Sequence, residues 1–179
     1  MNFELTEEQV AVRDAARDFA QNVLKKGVIE RDRDQKFPTE EVKQLGELGF
    51  LGIMVDPKYG GAGMDALSYV LAMEELSKID ASTSVVMSVN NSLVCFGLEK
   101  YGTEEQKQHY LPRLAKGKEI PCFGLTSTVA GSDAGSLVDN GIVCYGQFDG
   151  KKVLGLRLNW EKRYITLAPI ATVIGLAFK

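Results

Sequence analysis

The chain has 179 residues, 45% apolar and 25% charged, enough to bury roughly 70% of the surface its unfolded form exposes. Its 21 cationic and 24 anionic side chains leave a net charge of −3, so it lacks the electrostatic footprint of a nucleic-acid binder. The opening MNFELTEEQV has no cationic stretch before an apolar one, and the apolar run Leu167 to Phe178 contains Pro169, so the expectation is a cytoplasmic chain without secretory signal or membrane span.

The apolar period changes near residue 120. Up to Ile120 there are 15 cationic and 20 anionic side chains and the spacing is helical; from Pro121 the counts are 6 and 4, and apolar residues run or alternate as in strands. The fold class read from this is α+β, an all-α helical bundle over 1–120 followed by an incomplete antiparallel β-domain over 121–179. Thr6-Glu7-Glu8-Gln9 is a capping box opening a first helix, with Val12, Ala16, Phe19 and Val23 on its buried stripe and Gly27 as its stop. The charged stretch Glu30 to Lys36 reads as a connection. A second helix starts at Pro38 and buries Val42, Leu45 and Leu48. Asp65 caps a third, to about Ile79. The fourth, about Ala81 to Lys100, is apolar or small nearly all round, which predicts a position in the middle of the bundle. Thr103 to Gln106 repeats the capping box and begins a fifth helix ending near Gly117.

After Pro121, glycine-broken segments predict strands at Cys122–Thr126, Ile142–Phe148, Val153–Leu158, Tyr164–Thr166 and Ala171–Phe178. They read as an antiparallel sheet or barrel. The sheet looks unfinished, because its last apolar strand runs directly into Lys179.

Two readings compete at Gly61-x-Gly63-x-x-Ala66. It matches the loose dinucleotide fingerprint, follows the apolar stretch Phe50 to Val55 and has Asp80 nineteen residues on, which would suit a nicotinamide-dependent reductase. Pro57 and Lys58 separate the apolar stretch from the glycines, which favours a tight turn between helices. His109 is the single histidine, and Cys95, Cys122 and Cys144 lie 27 and 22 residues apart, so neither a zinc site nor a disulfide framework is indicated. Lys116-Gly117-Lys118 reads as a solvated helix end. A non-catalytic helical module that offers its surface to a partner is a third possibility.

The segment Cys122 to Asp133 carries more chemistry. Alternate residues of an apolar strand can cover a flat heterocycle, and the strand runs into hydroxyls and a Gly131-Ser132-Asp133 turn whose N–H groups could hold an anion. A plain strand followed by an Asx-type turn fits the same residues. Lys162-Arg163-Tyr164-Ile165-Thr166 again combines an aromatic, an aliphatic and a hydroxyl.

Together with Tyr59-Gly60-Gly61-x-Gly63, Ser88 to Leu93 and Tyr101 to Lys107, these segments resemble the acyl-CoA dehydrogenase family over nearly the whole chain. The resemblance implies an FAD-dependent enzyme that converts an acyl-CoA thioester to a trans-2-enoyl-CoA in fatty acid oxidation. It also implies a helical domain, a middle β-domain and a C-terminal helical bundle, assembled as a homo-oligomer and passing electrons to an electron-transfer flavoprotein or another acceptor. Residue by residue it assigns Phe123, Leu125 and Thr126 to the first flavin-contacting strand and Tyr164, Ile165 and Thr166 to the second. Ser132 would touch both the flavin phosphate region and the acyl-CoA, and Asn91 and Leu93 would wall the acyl pocket. No catalytic residue is assigned, since the family's base lies in the C-terminal bundle, which is not in this sequence. Thr126-Ser127-Thr128 replaces the usual Thr-Glu-Pro, and Tyr164 the usual Trp. The front half resembles the compact short-chain type and the part after residue 120 the large bacterial type, which suggests a mosaic or an assembled fragment with its join near residue 120.

Overall fold

Helix α1 (Glu7–Phe19) begins at the capping box: the Thr6 hydroxyl accepts the Gln9 N–H at 3.2 Å and the Gln9 side chain accepts the Thr6 N–H at 3.0 Å. The computed structural model describes residues 3–179, in two units that divide after Pro121. Past Phe19 the helix widens into π-helical turns over Ala20–Leu24, where the Lys25 N–H reaches back to the Ala20 carbonyl at 2.9 Å. Gly27, at φ 77°, then turns the chain.

The charged stretch beyond Gly27 departs from the expectation of a plain connection. It contains a helix, α2 (Val28–Arg33), with no apolar stripe to announce it. Its anchor is Arg31, whose guanidinium donates to Glu41 at 2.7 Å, to Asp80 at 3.0 Å and to the carbonyls of Leu24 and Lys26. The partners lie up to 49 residues away. A local pattern could not reveal them.

Helix α3 (Thr39–Glu47) buries Val42 and Leu45, while Leu48 just beyond it stays exposed. Asp65 caps α4 (Ala66–Ser77) through the Ser68 N–H at 2.7 Å, and Asp80 caps α5 (Ala81–Ser88) through the Thr83 N–H at 3.0 Å. From α5 the rod continues through π-helical turns (Val89–Cys95) into α6 (Phe96–Tyr101). This continuous helix, Ala81–Tyr101, is only half buried: Val85, Leu93 and Phe96 reach solvent, against the expectation of burial on most sides. It is also long and apolar enough to cross a membrane by length and composition, yet its buried half packs inside the unit as a core helix does. Helix α7 (Glu104–Ala115) repeats the capping box at Thr103. The core contains fully buried Leu24, Leu45, Leu51, Leu76, Met87, Leu111 and Leu114.

Among the described residues, no strand precedes the glycine-rich turn. Phe50–Gly52 is a 3₁₀ turn, followed by bends to Val55. Gly61 lies so close to the next backbone that an added Cβ would stand 2.1 Å from the Val55 carbonyl oxygen. The glycines therefore admit close chain packing, and the strand-turn-helix context that a dinucleotide fingerprint requires is missing.

The second unit has two separate two-stranded sheets where one sheet or barrel was expected. Strand β1 (Pro121–Gly124) pairs with β4 (Val173–Leu176), and β2 (Asn140–Phe148) pairs antiparallel with β3 (Lys151–Asn159). Asp149 and Gly150, at φ 49° and 71°, make the tight hairpin turn that matches the twist of its strands. The register puts Val143 opposite Leu156 and Tyr145 opposite Leu154 on one face, all exposed. Tyr164–Thr166 is not a strand. Tyr164 is left-handed at φ 55°, Leu167 at 69°, and a 3₁₀ turn follows at Ala168–Ile170. A three-residue segment interrupted by left-handed backbone cannot present a ladder of N–H and C=O groups to a neighbour.

Candidate flavin-facing site

The two segments singled out in the second unit lie side by side. Leu125 and Thr126 follow the end of β1, and Ser127 forms an isolated antiparallel bridge with Lys162. The Arg163 N–H donates to the Thr126 carbonyl at 2.9 Å. Phe123 is on β1 and partly exposed; Leu125, Thr126 and Ile165 are half-buried; Tyr164 and Thr166 are exposed, Tyr164 to 89%. The outward turn of Tyr164 follows from its left-handed backbone.

The anion-type turn folds back next to Thr126. The Ser127 N–H donates to the Ala130 carbonyl at 2.8 Å and the Ala130 N–H to the Ser127 hydroxyl at 3.1 Å. An added Cβ on Gly131 would lie 3.9 Å from the Thr126 methyl. Ser132 is exposed beyond this turn. Asp133 accepts from the Ser136 hydroxyl, not from the backbone N–H groups that the sequence suggested for it.

Sequence reasoning gave no role to two residues here. Asp139 and Lys162 form an ion pair at 2.6 Å with side chains 1% and 2% exposed. Lys162 Nζ also donates to the Leu125 carbonyl at 3.0 Å, and Asp139 accepts the Glu161 N–H at 2.9 Å. The Lys162 hydrogen bond, ahead of the Coulombic attraction, holds the Asp139 carboxyl below its ordinary range despite burial. A lysine beside an arginine reads as a solvated pair in sequence. Only the partner 23 residues upstream shows that one of the two is inside.

In the helical unit, Asn91 is buried with its amide donating to the carbonyls of Phe50 at 2.9 Å and Met87 at 3.0 Å, and its oxygen accepting the Met54 N–H. Its polar atoms are engaged within the core. Leu93, two residues on, is half exposed. Neighbouring Asn90 donates to the Leu51 and Leu114 carbonyls, so the widened helix brings two amides to bear on the turn at Phe50. All three thiols are free, and burial pushes Cys95 up to about 12, an inert thiol. His109 lies edge-on to Tyr110.

The residues at the paired segments are chemically suited to the flavin end of FAD. Thr126 and Thr166 carry hydroxyls on these segments, and the Thr126 carbonyl between them accepts the Arg163 N–H. Phe123 and Tyr164 offer aromatic surface.

The family model "Acyl-CoA dehydrogenase, N-terminal domain" matches residues 6–118. The short-chain-specific acyl-CoA dehydrogenase of Clostridium acetobutylicum is 48% identical over 136 residues, covering 76% of this chain and 36% of that protein. A probable acyl-CoA dehydrogenase of Bacillus subtilis is 40% identical over 174 residues, covering 97% of this chain and 44% of its own. That match crosses residue 120, so one relative resembles the chain on both sides of the suggested join and no mosaic is needed to explain it. Among solved structures, a glutaryl-CoA dehydrogenase from Mycobacterium smegmatis in complex with FADH2 has a TM-score of 0.84 at 35% identity, covering 95% of this chain and 42% of that one. The chain spans less than half the length of each of these relatives. With its capped helices, its paired segments after β1 and these matches, the chain belongs to the acyl-CoA dehydrogenase family.

Proposed function

We propose that this chain is the amino-terminal portion of an FAD-dependent acyl-CoA dehydrogenase and supplies the flavin end of its cofactor site. The observation that carries the reading is the hydrogen-bonded pairing of the segments holding Thr126 and Tyr164. When bound, FAD supplies an acceptor for the hydride that leaves the β-carbon of the acyl-CoA. Phe123, Leu125 and Ile165 would give the ring an apolar lining, and Tyr164, turned outward, would offer it an exposed aromatic face. The Thr126 and Thr166 hydroxyls would be the donors available to negative charge on its polar edge, where preformed donors act most strongly. Ser132 lies at the turn for a phosphate and the acyl-CoA. In the helical unit, Leu93 offers apolar surface to the acyl chain and Asn91 shapes that wall from inside.

The base that takes the α-proton is not among these residues. Of the four carboxylates of the β-unit, Asp139 is paired with Lys162, Asp133 accepts from Ser136, Asp149 forms the hairpin turn and Glu161 is exposed beside Lys162, and none is proposed as the base. The proposed redox partner is an electron-transfer flavoprotein or a similar acceptor, the full-length protein is proposed to be a homo-oligomer, and its free thiols suit a reducing cytoplasm.

The test is to purify the chain in excess FAD and assay dye reduction with butyryl-CoA and palmitoyl-CoA. The expected result is no turnover and weak FAD retention. Turnover with stoichiometric flavin would place the base within these residues and overturn the assignment.

A further inference from the structure

We propose that Lys162 is a positioning residue that sets the spacing of the two flavin-facing segments by tying the Leu125 carbonyl to the buried Asp139 carboxylate. The inference deepens the function proposed above and rests on it for the word flavin, but its geometry stands on three independent observations. The ammonium has two acceptors from different parts of the unit, Asp139 at 2.6 Å and Leu125 at 3.0 Å. Its stem passes within van der Waals reach of Gly124, where an added Cβ would stand 3.5 Å from Lys162 Cγ. Asp139 in turn receives the Glu161 N–H, while its own carbonyl receives the Lys179 N–H at 2.9 Å.

The topology makes this junction decisive. Between β1 and Lys162 the two segments share little regular ladder: an isolated bridge at Ser127 and the Arg163 bond to Thr126. Nothing repetitive fixes their separation. One lysine immediately before Arg163 and Tyr164, bonded to the carbonyl immediately before Thr126, fixes it at one point. Because both members are buried, water cannot take the place of either without opening the unit. Lys162 touches neither hydroxyl proposed to face the ring. Its effect passes through the backbone that carries them.

Lys162→Met alone strands the Asp139 carboxylate, so the deciding variant is Lys162→Met with Asp139→Leu, which removes both charges together. Amide hydrogen exchange of the full chain is measured by NMR without FAD. A positioning role predicts that Arg163 N–H exchange rises at least tenfold in the double variant, while β2 and β3 amides keep wild-type protection and show that the unit is folded. Arg163 exchange within twofold of wild type overturns the proposal. A second arm titrates FAD into both proteins. The expected result is that Phe123–Thr126 and Arg163–Thr166 resonances shift together in the wild type, and that binding weakens at least fivefold in the double variant. Equal binding by both proteins overturns the positioning role. A wild type in which neither segment shifts overturns the flavin reading, and the exchange arm still decides whether Lys162 sets the spacing.

Discussion

The helical unit and the β-unit solve the folding problem in different ways. Residues up to Pro121 bury seven leucine and methionine side chains completely, and their ion pairs decorate or pin that core. The residues from Cys122 onward bury only small or few apolar groups, among them Cys122, Ala130 and Leu137, and leave Val143, Tyr145, Leu154 and Leu156 exposed on one face of a hairpin. What holds their loops is polar: Asp139, Lys162 and a handful of backbone bonds. An isolated two-stranded ribbon is marginal in water. The first unit has the material of a stable domain by itself, whereas the second depends on geometry set by a few hydrogen bonds.

The sharpest way to break this comparison is to remove core volume. Leu76→Ala, at a side chain with no exposed surface, should cost about 3–4 kcal/mol in urea unfolding followed by helical circular dichroism. A loss under 1 kcal/mol would mean the helical core is loosely packed. Next in size, Arg31→Met should cost about 3 kcal/mol, because it leaves the Asp80 carboxylate buried without its cation and frees α2 from Glu41. Helix α2 should fray in that variant while α1 and α4 remain protected from exchange.

A smaller effect depends on pH. The Arg17 hydrogen bond, followed by that from Lys78, holds the Glu75 carboxyl down at about 2 from an ordinary 4.5. A depressed folded-state value stabilises above the unfolded one, so the contribution is complete above pH 4.5 and fades as pH falls toward 2. Arg17 and Lys78 are about half exposed, so screening leaves about 1 kcal/mol. The stability gap between wild type and Glu75→Gln should therefore be constant near neutrality and close through that acid window; a constant gap down to pH 2 would contradict it.

In the β-unit, Gly150→Ala forces a side chain into φ 71° and should weaken the hairpin by about 1 kcal/mol, seen as faster exchange of β2 and β3 amides alone. Smallest of all, Leu156→Ala on the exposed face should change stability by under about 0.5 kcal/mol. A cost like that of Leu76→Ala would show that this face is covered in solution.

The amino-acid order by itself determined where helices start and turn. Thr6, Asp65, Asp80 and Thr103 each cap through an N–H three residues on, a reach that a sequence pattern contains. Asp149-Gly150 between apolar runs specified the hairpin for the same reason, since its backbone preference is local. It also carried the residue types of the segment proposed to face a flavin, from Phe123 to Thr126. Tertiary structure alone decided the rest. Helix α2 exists through Arg31 and its distant carboxylates, the long helix exposes half its surface because neighbours cover only one side, and Tyr164 turns outward on left-handed backbone. Lys162 looks like any surface lysine until Asp139, 23 residues upstream, encloses its charge. Caps and turns act across a few bonds of chain, but the value of a buried charge depends on partners that only folding brings within 3 Å.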